Sequence, residues 1–200
     1  MLRRILGVDE RDVSYERLLD ALGVGGKGSL FESDQLDYKS ELPQDSKKFA
    51  KAVTAFANKG GGVLVYGIKD VKEAAGRVEH VELGQATTSL NQRLNQSMRP
   101  LIPGLRWTPV EFPEQKGYGL LLLEIPPSPL APHAVLDRHQ AHFYWRQGRE
   151  SVPMNEGDIE RAYRARLQSR DEARGLLGEA RSWLPAVSYT HLTLPTTPYV

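Results

Sequence analysis

The stretch QDSKKFAKAVTAFANKGGGVLVYGIKD (residues 44–70) predicts a helix that passes through a glycine junction directly into a strand. The apolar residues at helical spacing are Phe49, Ala52, Val53 and Phe56. Asp45 or Ser46 can cap this helix, because either side chain can accept from the free backbone N–H groups of the first turn. The glycines at 60–62 end it through a left-handed cap, and close approach of the backbone to a phosphate is the alternative. VLVYGIKD (63–70) then predicts a short buried strand.

A further strand is predicted just before this helix, within FESDQLDYKSELP (31–43). Apolar and charged residues alternate in its centre, LDYK (36–39). A period of two places Leu36 and Tyr38 on one face of the strand and the acid and lysine on the other. The two stretches together therefore predict a strand–helix–strand unit.

The rest of the chain predicts further helices and hairpins. They are an amphipathic helix over 85–100, a hairpin of strands 105–113 and 117–127, another hairpin over 134–148, and a final helix over 156–172 capped by Asn155. Such a succession is typical of an α+β fold in which helices pack on a mixed β-sheet.

The composition describes a globular chain of 200 residues with 40% hydrophobic residues and a net charge of +1. Its apolar runs are shorter than the roughly 18–20 residues that a membrane helix needs, so we expect no membrane partner. The chain has no cysteine, which excludes disulfides and thiolate metal sites and favours a cytoplasmic location.

Changes of composition along the chain predict four segments. Residues 1–27 form a helical lead-in and a glycine-rich linker, 28–170 the main domain, and 171–186 a helical extension. The tail 187–200 lacks Asp, Glu, Lys and Arg, is rich in Thr and Pro, and resembles a translated sequencing adapter. We therefore expect the tail to be disordered and a further domain to be missing after Ala186.

Basic residues are concentrated in two places despite the nearly neutral net charge. They are Lys47, Lys48 and Lys51 on the predicted helix, and Arg146 and Arg149 on either side of Gly148. Such clusters can bind the backbone of a nucleic acid, RNA or DNA. The alternative is that they are solvated surface charges. A homo-oligomer is also compatible with the sequence.

Four motifs occur in the order found in one known family. They are LDYKSEL (36–42), FAKAVTAFANKGGGVLVYGIKD (49–70), LLLLEIPPSPLAPH (120–133) and FYWRQGRESVPM (143–154). Over about residues 28–168 the chain resembles the Schlafen AlbA_2 domain family, with DYK in place of the commoner Glu–Phe–Lys. The resemblance implies a nucleic-acid-binding domain with a regulatory or defence-related role, such as a transcriptional regulator.

The resemblance also implies a catalytic function. Animal Schlafen core domains are metal-dependent endoribonucleases that act on structured RNA such as tRNA through three acids. Those acids correspond here to Glu32, Asp37 and Asp70, which would bind Mg²⁺ or Mn²⁺, with Lys39 beside them. Carboxylates are ligands that both ions prefer, and a lysine can stabilise charge on a phosphate. Ordinary surface charge and an ion pair along one strand are the alternative.

Three hypotheses about function therefore stay open at the level of the sequence. The first is a nucleic-acid-binding module, and the second is a metal-dependent endoribonuclease that uses the three carboxylates. The third is a sensor or interaction domain of a truncated larger protein.

Overall fold

The structure, a computed structural model, describes residues 1–24, 28–138 and 140–183. The predicted tail at 187–200 and part of the predicted linker, residues 25–27, lie outside the described residues. The chain divides into two compact units, Met1–Arg166 and Leu167–Val200. No helix in the described ranges is long and apolar enough to cross a membrane.

Helices occupy both ends and the centre of the described chain. The α-helices are α1 (Leu2–Leu6), α2 (Tyr15–Leu22), α3 (Ser46–Ala57), α4 (Ala86–Ser97) and α5 (Glu156–Trp183), and Glu10–Asp12 forms a 3₁₀ turn. Asp45 begins α3 by accepting hydrogen bonds from the backbone N–H groups of Lys47 (2.8 Å) and Lys48 (3.1 Å). Asn155 begins α5, since its Oδ1 accepts from the N–H of Asp158 at 2.9 Å.

The strands form two sheets and a ribbon. They are β1 (Leu36–Lys39), β2 (Gly62–Tyr66), β3 (Ile68–Val71), β4 (Ala74–Val78), β5 (Val81–Glu82), β6 (Met98–Arg99), β7 (Arg106–Phe112), β8 (Gln115–Ile125), β9 (Ala134–Asp137), β10 (Gln140–Gln147) and β11 (Glu150–Pro153). The main sheet has the order β1-β2-β8-β5, with β7 also paired to β8. Only β1 and β2 run parallel within it, so the sheet is mixed and the predicted α+β class is confirmed.

The remaining strands lie outside the main sheet. The second sheet has the order β11-β10-β9-β6, and β3 pairs with β4 alone. The sequence predicted a hairpin over 134–148, and β11 adds a strand that it did not predict. The last helix does not end at 172 but continues to Trp183, within the segment 171–186 that was predicted to be a helical extension.

Two apolar clusters form because side chains alternate across the main sheet. Leu64 and Tyr66 of β2 point into the cluster that also contains the apolar stripes of α3 and α4. Val63 and Val65 point into the opposite cluster, which contains the buried leucines of α1 and α2. The main sheet is therefore covered by helices on both faces.

The predicted strand 63–70 is divided at Gly67. Its φ of +92° lies in the region that favours glycine, and a Cβ there would lie 3.0 Å from the carbonyl oxygen of Gly119. The chain consequently leaves the main sheet after Tyr66 and continues as β3, whose partner is β4. The turn at Gly67 directs β3 away from β2. It therefore determines where the residues of β3, including Asp70, lie.

The glycine junction after α3 has a structural role. Gly61 has a φ of +76° and donates a hydrogen bond to the carbonyl of Phe56 at 2.8 Å, which closes the helix as expected. A Cβ on Gly61 would collide with the carbonyl oxygen of Ile125. The glycine therefore also lets the end of α3 approach β8 closely.

Candidate functional site

The predicted site residues converge on one cleft of about 400 Å³. It is lined by Glu32, Asp37, Lys39, Lys48, Lys51, Ala52, Asp70, Arg146, Arg149, Glu150 and Ser151. Of the residues predicted from the sequence, Lys47 lies apart, and its Nζ is 2.5 Å from Oδ1 of Asp137. The cleft thus combines residues from β1, α3, β3 and the β10–β11 hairpin.

Strand β1 supplies an acid and a lysine to the cleft. Leu36 and Tyr38 face the apolar cluster under α1 and α2, so Asp37 and Lys39 lie on the other face. The Lys39 Nζ lies 2.9 Å and 2.8 Å from the two carboxylate oxygens of Asp37, and it donates to the carbonyl of Tyr38 at 2.9 Å. Asp37 is only 5% exposed, so this is a partly desolvated ion pair.

Glu32 is held beside Asp37 by the backbone. Its N–H donates to the carbonyl of Glu73 at 2.7 Å, and its Oε1 accepts from the N–H of Tyr38 at 3.0 Å. Burial, followed by a hydrogen bond with the Asp37 carboxyl, raises the pKa of Glu32 to about 7. Glu32 therefore holds its proton up to near neutral pH.

Asp70 reaches the same cleft from a different strand. It is exposed on β3, at a point where the pairing with β4 shifts register between Lys69 and Asp70. Such an irregularity changes the direction in which the side chains point, compared with regularly paired strands. Asp70 lines the cleft, but it does not complete a close group of three metal-binding side chains, and none occurs elsewhere in the described residues.

The donor chemistry in the cleft fits a divalent cation of the Mg²⁺ type. Glu32, Asp37 and Asp70 all present carboxylates to the same cleft, and Asp37 is close enough to Glu32 to raise its pKa. Mg²⁺ and Mn²⁺ prefer such oxygens, and Mg²⁺ is often bound by one or two protein carboxylates with water and phosphate completing its shell. Glu32 and Asp37 are therefore the residues that would hold it.

Arg146 does not have the exposed position that the sequence predicted. Its side chain is 2% exposed because β10 packs on α3, with the guanidinium carbon 4.4 Å from the centre of the Phe56 ring. One terminal nitrogen lies 3.7 Å from Oδ2 of Asp37, and the other donates to the carbonyl of Ser33 at 3.1 Å. Arg146 thus supports Asp37 and the segment before β1 from beneath the cleft.

Cationic side chains lie around the carboxylates, two of them exposed and Lys51 half-buried. Lys48 and Lys51 come from successive turns of α3, and the Lys51 Nζ lies 4.8 Å from the centre of the Tyr144 ring. Arg149, at the tip of the β10–β11 hairpin, pairs with Glu73 at 2.7 Å. The rim is therefore basic while the floor is acidic, so the rim is the part of the cleft that attracts an anionic ligand.

The sequence did not predict Glu150 and Ser151 in the cleft. Both lie at the start of β11, after a two-residue turn made by Gly148 and Arg149. Gly148 has a φ of +59°, and a glycine between two runs of strand-forming residues is a signal for a hairpin. That signal is present in YWRQGRESV (144–152). It marks the turn that leads into β11, the strand that the sequence analysis did not predict.

Comparison with known proteins assigns the chain to a family. The sequence model described as Schlafen, AlbA_2 matches residues 32–155, and the chain belongs to this family, which confirms the assignment from the motifs. Among solved structures it is similar to the DIP2311 protein from Corynebacterium diphtheriae, with 19% identity and a TM-score of 0.44. That similarity covers 66% of this chain and 24% of the other, so the chain spans about a quarter of that protein. A comparison with curated proteins finds no match.

Proposed function

We propose that this domain binds RNA or DNA, with the phosphate backbone of the nucleic acid lying in the cleft. The observation that supports the proposal is the basic rim formed by Lys48, Lys51 and Arg149 around the acidic floor. Lysines and arginines attract phosphates without regard to sequence, and binding releases counterions from the nucleic acid. The expected binding is therefore sensitive to salt and nearly independent of sequence.

The binding test compares the affinity for a short single-stranded RNA and its DNA counterpart at low and at physiological salt. We expect the affinity to fall as salt rises, and the double variant Lys48→Glu/Lys51→Glu to bind at least about tenfold more weakly than the wild type. Lys116→Glu is the matched control, because Lys116 is exposed in the β7–β8 hairpin and does not line the cleft. Equal losses in both variants would contradict the assignment of the cleft.

A second function, metal-dependent cleavage of structured RNA, is favoured by the contact between Glu32 and Asp37. The raised pKa of Glu32, caused by burial and by the neighbouring Asp37 carboxyl, means that Glu32 can give up its proton when a cation of suitable size binds. When bound, the ion would neutralise charge on the phosphate and activate a water molecule. Lys39 keeps Asp37 in place and carries a positive charge toward the cleft.

The cleavage test incubates purified protein with tRNA and Mn²⁺ and separates the products on a denaturing gel. Asp37→Asn is expected to abolish cleavage, whereas Asp34→Asn should retain it, because Asp34 is exposed and does not line the cleft. Cation binding has an independent measure, since Mg²⁺ should lower the pKa of Glu32 in a carboxyl-resolved NMR titration. Cleavage that survives Asp37→Asn would exclude this mechanism.

The third hypothesis, a sensor or interaction domain, becomes the preferred one under a single result. If the wild-type protein binds neither RNA nor DNA at low salt, the basic rim does not serve a nucleic acid. The charged cleft would then be a surface for another partner.

A further inference from the structure

An exposed apolar patch lies on the β3–β4 ribbon, next to the charged cleft. Phe31 is 64% exposed and Val71 is 53% exposed, and both pair with Ala74 of β4. Residues that pair across antiparallel strands point to the same face, so the three side chains form one row, here called the ribbon patch. A Cβ on Gly76 would collide with the Val71 side chain, so this glycine gives Val71 its position. Neither the two apolar clusters nor the proposed phosphate binding explains an exposed phenylalanine at this place.

The backbone holds Phe31 firmly against the ribbon. The N–H of Glu32 donates to the carbonyl of Glu73 at 2.7 Å, and the N–H of Ala75 donates to the carbonyl of Leu30 at 3.1 Å. Phe31 lies between these two hydrogen bonds and is itself bridged to β4. Its ring is therefore presented on a fixed backbone, which lowers the entropy lost when a ligand binds.

The ribbon patch adjoins the cleft on both of the segments that carry it. Glu32, which lines the cleft, directly follows Phe31. Asp70, which also lines the cleft, directly precedes Val71. Consecutive residues of an extended segment point to opposite faces, so the patch and the cleft lie on the two faces of one ribbon. A ligand that reaches from the cleft to the patch has to cross only the ribbon.

The tip of the ribbon leads from the rim of the cleft to the patch. Lys72 and Glu73 form the two-residue turn between β3 and β4. Glu73 pairs with Arg149 of the rim at 2.7 Å, and Lys72 is exposed directly after Val71. A strand with one phosphate at Arg149 can therefore cross the tip, where Lys72 attracts a second phosphate, and place the adjoining base on the patch.

The size and the charge of the ribbon patch favour a base over a protein partner. A stable protein interface buries roughly 800 Å² on each side, whereas one aromatic side chain contributes only about 150–250 Å². Phe31 and Val71 together therefore expose too little apolar surface for a protein partner. The exposed basic residues of the same ribbon are Lys69, Lys72 and Arg77. Positive charge around an aromatic ring is typical of sites that bind single-stranded nucleic acid.

We propose that Phe31 stacks on one unpaired base of the nucleic acid whose phosphates lie in the cleft. The proposal rests on the proposed function and adds the class of nucleic acid to it. Every base has a face that an exposed ring can cover, whatever the sequence. In a duplex that face is already covered by the neighbouring base pair, whereas single strands, loops and ends present it without unstacking. The domain should therefore prefer unpaired segments to a duplex of the same charge.

The decisive experiment uses two single-stranded oligonucleotides of equal length and charge, one with bases and one with abasic sugars, at one salt concentration. Wild-type protein should bind the strand with bases about tenfold more tightly, because stacking of one base on an aromatic side chain contributes that factor. Phe31→Ser should bind both strands equally, and Phe31→Tyr should keep the preference because it keeps a ring. Leu101→Ser is the matched control and should also keep it, since Leu101 is 45% exposed and does not line the cleft.

A second measurement uses the binding of the wild-type protein. The chain has five phenylalanines, all within the described ranges, and Phe31 is the only one of them that is mostly exposed. In the NMR spectrum of phenylalanine-labelled protein, the strand with bases should shift the ring protons of Phe31 upfield, and the abasic strand should not. The signal is identified by its absence from the spectrum of Phe31→Tyr.

The outcomes separate this proposal from the proposed function. Equal affinity of the wild type for the two strands, or a preference for bases that persists in folded Phe31→Ser, would overturn the stacking and leave phosphate binding intact. A wild-type dimer in sedimentation that Phe31→Ser dissociates would assign the patch to a second copy of the chain instead. Failure to bind either strand at low salt would overturn both proposals.

Discussion

Glu32 is a carboxyl group whose protonation should change around neutral pH. Its folded-state pKa of about 7 lies above the ordinary value of 4.5, so the folded protein holds an extra proton between those values. The free energy of unfolding should therefore fall as pH rises from 4.5 to about 7. An NMR titration of the side-chain carboxyl should give a midpoint near 7, and Asp37→Asn should lower it.

The control for that titration is Asp34→Asn, which changes an exposed acid close by in sequence and should leave the Glu32 midpoint unaltered. A wild-type midpoint near 4.5 would mean that burial and the Asp37 carboxyl do not raise the pKa of Glu32. The same proton affects ligand binding, because the cleft gains a negative charge as Glu32 ionises. Phosphate binding should weaken over this interval while cation binding strengthens.

At the residue scale, the sequence predicted which acids reach the cleft but not how they are held. The alternation in LDYK places Asp37 and Lys39 on one face, and that rule needs only local geometry. The environment of Glu32 depends on an N–H of β1 and a carbonyl of the β3–β4 turn, which no local pattern reports. The burial of Arg146 likewise cannot be predicted from a local pattern, because it depends on how β10 packs on α3.

At the element scale, Asn58 joins α3 to the second sheet. Its Nδ2 donates to the carbonyls of His133 (2.9 Å) and Tyr144 (2.8 Å), and its Oδ1 accepts from the N–H of His133 at 2.7 Å. Asn58→Ala leaves all three backbone groups without this partner and should lower the free energy of unfolding by about 2–3 kcal/mol. Denaturation by urea measures the loss.

A matched control for Asn58 is Asn95→Ala, because Asn95 is exposed on α4. Its effect should stay within about 0.5 kcal/mol. Asn58→Asp separates the two roles, since it retains an acceptor for His133 and removes both donated hydrogen bonds. A loss of stability in Asn58→Ala no larger than that of the control would show that α3 and the second sheet are joined by packing alone.

At the element scale, the sequence predicts helices and strands correctly where their signals are local. Helix α3 was predicted from its cap, its apolar stripe and its glycines, all of which are local signals. The division of VLVYGIKD was not predicted, because an apolar run of this length reads as one strand until the packing of Gly67 against β8 is known. Residues 63–66 then belong to the main sheet and residues 68–70 to the β3–β4 ribbon, which only the tertiary structure decides.

At the scale of the whole molecule, residues 1–24 complete the core of the domain. The buried leucines of α1 and α2 are Leu2, Leu6, Leu18 and Leu22. Each contributes about 2 kcal/mol by burial, and together they match the net stability of a typical domain. A fragment of residues 28–166 should therefore show no cooperative thermal transition by circular dichroism, although it contains the whole family match at 32–155.

A fragment of residues 1–166 is the control for this deletion. It retains every residue of both apolar clusters and should melt cooperatively near the temperature of the full chain. Cooperative melting of 28–166 would show that the lead-in helices are dispensable. The sequence predicted a helical lead-in at residues 1–27, but the face that its helices cover follows from the alternation along β2 and β8.

The hydrogen bonds around β1 have a consequence for handling the protein. β1 is the outer strand of the main sheet, and an outer strand with free N–H and C=O groups is a template for association with other chains. Here Glu32 occupies the N–H of Tyr38, Lys39 occupies its carbonyl, and Ser33 donates to the carbonyl of Leu36. The side chains assigned to chemistry therefore also occupy backbone groups of β1 that could otherwise pair with another strand. A lost activity after substitution of Glu32 or Lys39 is informative only beside a comparison of solubility, and replacements that retain hydrogen-bonding capacity are the safer choice.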